Sequence, residues 1–161
     1  MTGQGNPGLR TVVVGVGNEF RRDDGAGPEV IARLRALQPG DASLSGVTLA
    51  LSDGEPGRMI DLWEGTRLAV VIDAVWDPAM PPGYRYQVAV DALTGVVDGA
   101  ASSHSIGLGD TVELARVLGR LPERLTVLAV VGCDFGFGTE LTAEVAAAVP
   151  ELVDRVREIV R

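Results

Sequence analysis

The chain of 161 residues contains no lysine and only one cysteine and one histidine. Because all 14 of its basic residues are arginine, a lysine Schiff base and the phosphate-binding lysine of a P-loop are excluded. The single cysteine, Cys133, cannot form a disulfide within the chain. The longest apolar runs, such as LAVVI at 68–72, are far shorter than the roughly 20 residues that a helix needs to cross a bilayer.

Positive charge is also scarce, and the net charge of the chain is −8. Nucleic-acid-binding proteins present a basic face, so this balance argues against a nucleic-acid partner. The first ten residues, MTGQGNPGLR, are polar and lack the apolar region of a signal peptide. We therefore expect a cytoplasmic protein with no membrane partner, and we expect it to be a monomer.

Apolar runs typical of strands alternate with segments of helical periodicity. The predicted strands are 11–16, 47–52, 67–75, 84–90 and 125–131, and the predicted helices are 27–37, 56–64, 107–120 and 142–160. This alternation predicts an α/β fold, a three-layer α/β/α sandwich with about five mostly parallel strands. The strand at 84–90 alternates in polarity, so we expect it to be antiparallel and near an edge. Residues 1–9 are expected to form a flexible tail and 10–161 a single domain, in which Pro150 kinks or splits the last helix.

Three candidate ligands fall in loops beside predicted strands. They are one aspartate of the Asp23–Asp24 pair, Asp73 at the end of the third strand, and His104 before the helix at 107–120. In a doubly wound sheet, such loops meet at one edge. Two carboxylates and an imidazole suit a borderline divalent ion such as Ni, Zn, Mn or Fe. Structural roles are equally open at this point, because aspartates cap helices and order loops and a histidine can bond to backbone.

Other motifs are weaker indicators of function. GVGN at 15–18 follows a strand, but Phe20 stands where a dinucleotide-binding G-x-G-x-x-G has its third glycine. Cys133 follows the last strand, and we interpret it as a packing residue and not as a nucleophile. Phe135 and Phe137, in the glycine-rich loop GCDFGFG, are candidates for substrate contact. Three further acidic residues are expected at the same edge without being ligands: Asp53, Glu55 and Asp134.

With these residues laid out, the chain resembles the hydrogenase maturation endopeptidases, which trim the C-terminal tail of the large subunit of nickel–iron hydrogenases. The resemblance runs from Thr11 to Val160. It is carried by VVGVGNEFRRDDGAGPEV at 13–30, LAVVIDAV at 68–75, SSHSIGLGDTVELARVLG at 102–119 and GCDFGFGTELTAEV at 132–145. The first and third of these segments are specific in combination.

The resemblance implies a set of metal-contacting residues. The family pattern is an acidic residue in the first loop, an aspartate at the end of the third strand and a histidine before a later helix, which Asp24, Asp73 and His104 match. This resemblance, and not spacing, selects Asp24 over Asp23. It also implies that the protein holds no strong resident metal. The three side chains would recognise nickel already inserted in the precursor of a hydrogenase large subunit, with Asp24 and Asp73 as the catalytic carboxylates.

Two mechanisms agree with these residues. In one, the ion polarises the scissile carbonyl and lowers the pKa of a bound water, and Asp24 or Asp73 acts as base. In the other, the ion only positions the peptide and a carboxylate activates water directly. Two other functions stay open: a nickel-dependent binding protein or chaperone that docks the precursor without cutting it, and an α/β domain that binds a small ligand through acidic loops.

Overall fold

The fold contains six strands and four helices in the residues that the computed structural model describes, which are 10–91, 97–99 and 108–161. The strands are β1 Thr11–Val16, β2 Val47–Ser52, β3 Leu68–Trp76, β4 Arg85–Asp91, β5 Val97–Gly99 and β6 Arg124–Gly132. The helices are α1 Ala26–Leu37, α2 Pro56–Trp63, α3 Gly109–Leu118 and α4 Ala143–Val160. The predicted tail at 1–9 lies outside the described residues.

The strands form one mixed sheet in the order β2-β1-β3-β6-β4-β5. The four strands β2, β1, β3 and β6 are parallel, and β4 runs antiparallel to β6, as its alternating sequence predicts. The sheet has one strand more than the five that we expected. The extra strand, β5, pairs antiparallel with β4 and falls in a segment predicted as loop. Three residues are too few to produce a periodic pattern, which is why this strand was missed.

Helices cover both faces of the sheet, which confirms the predicted three-layer sandwich. Helices α1 and α4 pack on one face and α2 and α3 on the other, each pair forming its own apolar cluster with the strands. Alternate residues of β1 enter opposite clusters, with Val13 on the α1 side and Val12 and Val14 on the α2 side. Strands β1, β3 and β6 are therefore buried on both faces, which accounts for their continuous apolar sequences, whereas the edge strand β2 is partly exposed.

The last helix continues through Pro150 from Ala143 to Val160, so the expectation that proline splits it was wrong. Pro150 lies on the exposed side of α4. The backbone carbonyl that loses its helical partner at this position can be solvated there, while the apolar stripe on the opposite side holds the helix against the sheet. Among the described residues, no helix has the length and apolar content needed to span a bilayer.

The strand order reverses between β1 and β3. The chain leaves β1 through α1 to reach β2 on one side, and returns through α2 to β3 on the other side of β1. Such a switch point opens a crevice at the carboxyl ends of the two strands. Helix α1 begins directly over it, since a Cβ on Gly27 would lie 2.6 Å from the Val16 carbonyl oxygen and 2.7 Å from that of Ile72. Glycine is therefore required for this close approach of helix and sheet.

We expect Gly27→Ala to lower the free energy of unfolding by about 1–3 kcal/mol, because the added methyl group forces α1 away from two backbone carbonyls. Urea unfolding measures the change. Gly40→Ala is the matched control, since a Cβ there meets nothing within 4 Å and should change stability by less than about 0.5 kcal/mol. Equal midpoints for the two variants would contradict the close packing at the switch point.

Candidate functional site

The loop that follows β1 folds back on itself and presents Asp24 at the crevice. Gly17 adopts a φ of 135°, and a Cβ on it would lie 1.9 Å from the Asp24 carbonyl oxygen, so the two ends of the loop touch. The Asn18 backbone N–H donates to Oδ2 of Asp24 at 2.8 Å. Residues Arg22–Gly25 form a short 3-10 turn that leads into α1. One carboxylate oxygen of Asp24 is thus held by the loop itself, and the side chain is only partly buried.

The neighbouring Asp23 points the other way and is completely buried. Its carboxylate accepts backbone hydrogen bonds from Cys133 at 2.9 Å, Asp134 at 3.0 Å and Thr142 at 2.8 Å, and the Thr142 hydroxyl donates to it at 2.9 Å. Burial by itself raises the pKa of Asp23, but these hydrogen bonds outweigh it and the pKa lies below its ordinary value. Thr142 is the N-cap of α4, so the anion also sits at the positive end of a helix.

Further bonds join the same two loops above Asp23. The Arg22 N–H donates to the Gly138 carbonyl and the Gly138 N–H donates to the Phe20 carbonyl, both at 2.9 Å. The Arg21 Nε donates to the Phe135 carbonyl at 3.1 Å. Arg22 has a φ of 46°, a left-handed backbone that costs free energy in a residue with a side chain and that these bonds hold in place. The loop after β1 and the loop after β6 are therefore one connected unit.

Asp73 lies within β3, three residues before its end, and not at the strand's end as we expected. The pairing of β3 with β6 continues to Trp76, which extends the strand beyond the predicted boundary. The pairing with β1, however, stops at Gly15 opposite Ile72. Asp73 is thus the first residue of β3 whose β1 side is no longer covered by a paired strand. This places its carboxyl group at the crevice of the switch point.

Asp24 and Asp73 are close enough to interact electrostatically. Burial, together with the like charge of Asp24, raises the pKa of Asp73 to about 7, while a hydrogen bond from the Ala74 backbone opposes the rise. Two carboxylates in one crevice repel each other unless a proton or a cation lies between them. The pair can therefore hold a proton near neutral pH or contribute oxygen ligands to a divalent ion.

The third predicted ligand, His104, lies outside the described residues, so its distance from the two aspartates is not tested. Among the residues that are described, no group of three histidine, cysteine or acidic side chains forms a metal site. The acidic residues expected nearby as non-ligands have local partners. Asp53 pairs with Arg58 at 2.6 Å and Glu55 caps α2. Asp134 lies 3.1 Å from the Arg22 Nε.

The loop after β6 differs from our expectations in two respects. Cys133 is exposed, so it is not the packing residue we expected. Its structural contribution is the hydrogen bond that its backbone N–H donates to Asp23. Phe135 packs against the apolar cluster beneath α1 and α4, whereas Phe137 is 95% exposed. Of the two phenylalanines considered for substrate contact, only Phe137 is therefore freely accessible.

The fold and the site define an α/β protein with a carboxylate pair in the crevice of its switch point. The hydrogenase maturation protease family model matches residues 54–159, which include Asp73 and His104. Since the match covers most of the chain, the chain belongs to the hydrogenase maturation protease family and is a peptidase.

Individual relatives agree with this assignment. The chain is 27% identical over 159 residues to the hydrogenase expression/formation protein HupD of Rhizobium leguminosarum bv. viciae, covering 96% of this chain and 76% of HupD. It is 24% identical over 157 residues to the hydrogenase 2 maturation protease of Escherichia coli (strain K12), covering 95% and 92%.

Solved structures show the same fold. The NiFe hydrogenase maturation protease HybD from Thermococcus kodakarensis superposes with a TM-score of 0.71 at 23% identity, over 95% of this chain and all of that one. The hydrogenase maturating endopeptidase HybD from E. coli gives a TM-score of 0.71 at 22% identity, over 92% and 90%.

We expect Asp23→Ala to lower the free energy of unfolding by about 2–4 kcal/mol, because it leaves several buried donors without an acceptor. Asp24→Ala is the matched neighbour. It should cost less than about 1 kcal/mol, since Asp24 is less buried and its removal relieves repulsion with Asp73. Urea unfolding of both variants tests whether Asp23 contributes more than Asp24 to the stability of the fold. A larger loss for Asp24→Ala than for Asp23→Ala would contradict it.

The raised pKa of Asp73 predicts a pH-dependent stability. The folded chain keeps this proton up to about pH 7, whereas the unfolded chain releases it near 3.8. The folded state binds more protons in this window, so the contribution of Asp73 to the free energy of unfolding falls as pH rises from about 4 to about 7. Between pH 5 and 7.5, the metal-free wild type should lose about 2 kcal/mol relative to Asp73→Asn in urea unfolding. If the free energies of unfolding of the two proteins change in parallel with pH, the pKa of Asp73 is not raised.

Proposed function

We propose that this peptidase removes the C-terminal extension from the nickel-loaded precursor of a nickel–iron hydrogenase large subunit. The observation that carries the proposal is the electrostatically coupled pair Asp24 and Asp73, at the switch point of the sheet in a chain from the hydrogenase maturation protease family. Its relatives named above are a hydrogenase expression/formation protein and a hydrogenase 2 maturation protease. That the chain acts in the cytoplasm and as a monomer stays a prediction from the sequence.

The nickel in this proposal belongs to the substrate. Asp24 and Asp73 supply oxygen donors, and His104 is proposed as the nitrogen donor from a segment that is not described. Two carboxylates that repel each other favour a cation between them, which supports the fit of this donor set to a divalent ion. Recognition of nickel already bound to the precursor would make cleavage depend on a completed insertion.

The hydrolysis itself needs a base for the attacking water. The water oxygen forms a bond to the scissile carbonyl carbon, its proton passes to a carboxylate, and the C–N bond breaks as the amine takes up a proton. Asp73 is suited to this exchange because a group whose pKa is about 7 both accepts and releases protons at neutral pH. Asp24 lies beside it and can take either the base role or a purely ligating role. Both mechanisms considered from the sequence remain compatible with this arrangement.

We expect Asp24→Asn, Asp73→Asn and His104→Ala each to lower kcat for nickel-loaded precursor by more than about 100-fold, which exceeds the effect typical of residues that only support a ligand. Mass spectrometry of the precursor measures the loss of its C-terminal peptide. Nickel-free precursor should stay uncut.

The matched control is Asp154→Asn on the exposed side of α4, where Asp154 lies 3.5 Å from Arg157. It should cleave at the wild-type rate. Two results would count against the proposal. Near-normal cleavage by Asp24→Asn and Asp73→Asn would remove the carboxylates from the mechanism. A stable complex of wild-type protein and uncut precursor would show binding without peptidase activity.

A further inference from the structure

Two exposed apolar side chains flank the loop that carries Asp24. Phe20 follows β1 and is 60% exposed, and Leu51, near the end of β2, is 50% exposed. Both line a groove of about 330 Å³ at the carboxyl edge of the sheet. Large apolar side chains exposed together beside a catalytic crevice indicate a surface that a ligand covers.

A second depression lies on the other side of Phe20. Its volume is about 220 Å³, and it shares the walls Glu19, Phe20 and Pro28 with the first. Leu141, from the loop before α4, also lines it. We call the two depressions together the Phe20 groove, defined by Glu19, Phe20, Pro28, Leu51 and Leu141. The two depressions lie side by side and both include Phe20 in their lining, so an extended peptide that crosses them can place side chains in each.

The Phe20 groove adjoins the loop that carries Asp24. Asn18 lines the groove, and its backbone N–H is the group that bonds to the Asp24 carboxylate. The groove is also preformed. The Phe20 N–H donates to the Asn18 side chain at 2.9 Å, and the Phe20 carbonyl accepts from Gly138 at 2.9 Å. Little ordering of the loop is therefore required when a ligand binds.

The charged residues that line the Phe20 groove are all acidic. Of the described residues that line its two halves, three are acidic and none is basic: Glu19, Glu29 and Asp53. Glu29 and Asp53 are partly neutralised by Arg33 and Arg58. None of the ion pairs among the described residues includes Glu19. Its carboxylate is available to a cationic group of a ligand that lies against Phe20.

We infer that the Phe20 groove binds the segment of the precursor next to the scissile bond, in extended form, through an apolar side chain beside the phenyl ring and a basic side chain beside Glu19. This inference rests on the proposed function, because it takes the precursor as the ligand. It adds the chemical class of the recognised segment and assigns a specificity role to Phe20, Leu51 and Glu19.

Steady-state cleavage of nickel-loaded precursor tests the groove. Phe20→Ala should raise KM about tenfold or more and keep kcat within about threefold, because it removes apolar contact area away from the reacting atoms. Leu51→Ala should act in the same direction. Glu19→Gln should raise KM two- to fivefold at low salt, and this difference should shrink at 1 M salt, where charges are screened within about 3 Å. When the lysines and arginines beside the cleavage site of the precursor are changed to glutamine, the wild type and Glu19→Gln should have the same KM.

Two matched controls lie far from the groove. Val117→Ala removes an apolar side chain on α3 that is 69% exposed, and Glu123→Gln removes an exposed charge at the amino end of β6. Both should leave KM and kcat unchanged. If Phe20→Ala has the same KM as Val117→Ala while the wild type cleaves the precursor, the inference about the Phe20 groove is wrong. The proposed function is unaffected by that result.

A wild type that fails to cleave the nickel-loaded precursor would overturn the proposed function. A direct measurement of precursor binding then tests the Phe20 groove independently of cleavage. Biolayer interferometry with immobilised nickel-loaded precursor should show wild-type binding that Phe20→Ala weakens about tenfold and Val117→Ala does not. Equal binding of the two variants, or no binding by the wild type, overturns the groove.

Discussion

The buried carboxylate of Asp23 is the interaction on which the site depends. It joins the loop after β1 to the loop after β6 and to the start of α4, through donors that lie 110 to 119 residues away in the chain. An ionised group that is fully buried is stable only when its hydrogen bonds replace the water it has lost. Asp23 is held in this way inside the junction of the two loops, and the next residue, Asp24, interacts with Asp73 at the crevice.

The crevice exists because the strand order reverses between β1 and β3. The pairing of β1 with β3 stops at Gly15, and β3 continues to Trp76, so Asp73 lies where the β1 side of β3 is no longer paired. The sheet supplies one carboxylate from a rigid strand, and the loop supplies the other from a turn fixed by Asp23. Burial, together with the like charge of Asp24, raises the pKa of Asp73, which makes the pair responsive to a proton or to a cation.

The loop that places Asp24 also forms the wall of the Phe20 groove, so the proposed catalytic carboxylate and the proposed substrate contact share one element. Phe20 lies four residues before Asp24 and is held by Asn18 and Gly138. In the function proposed above, peptide binding and ion recognition occur on the same surface, which increases specificity for one precursor. The excess of negative charge across this edge favours a cationic partner and opposes an anionic one.

The sequence by itself determined the layers of the fold, since continuous apolar strands that alternate with amphipathic helices allow few other arrangements. It also determined the antiparallel β4 and, through resemblance, the family. Only the tertiary structure showed that Asp23 is buried and joins two loops, whereas Asp24 is partly buried and close enough to Asp73 to interact with it. Asp23 and Asp24 are adjacent and identical in type, and no local pattern connects Asp23 with Thr142. The length of β3 past Asp73 and the uninterrupted helix at Pro150 depend on pairing and packing with distant segments. Contacts of this kind have no periodicity in the chain, because they are set by how the elements meet in space.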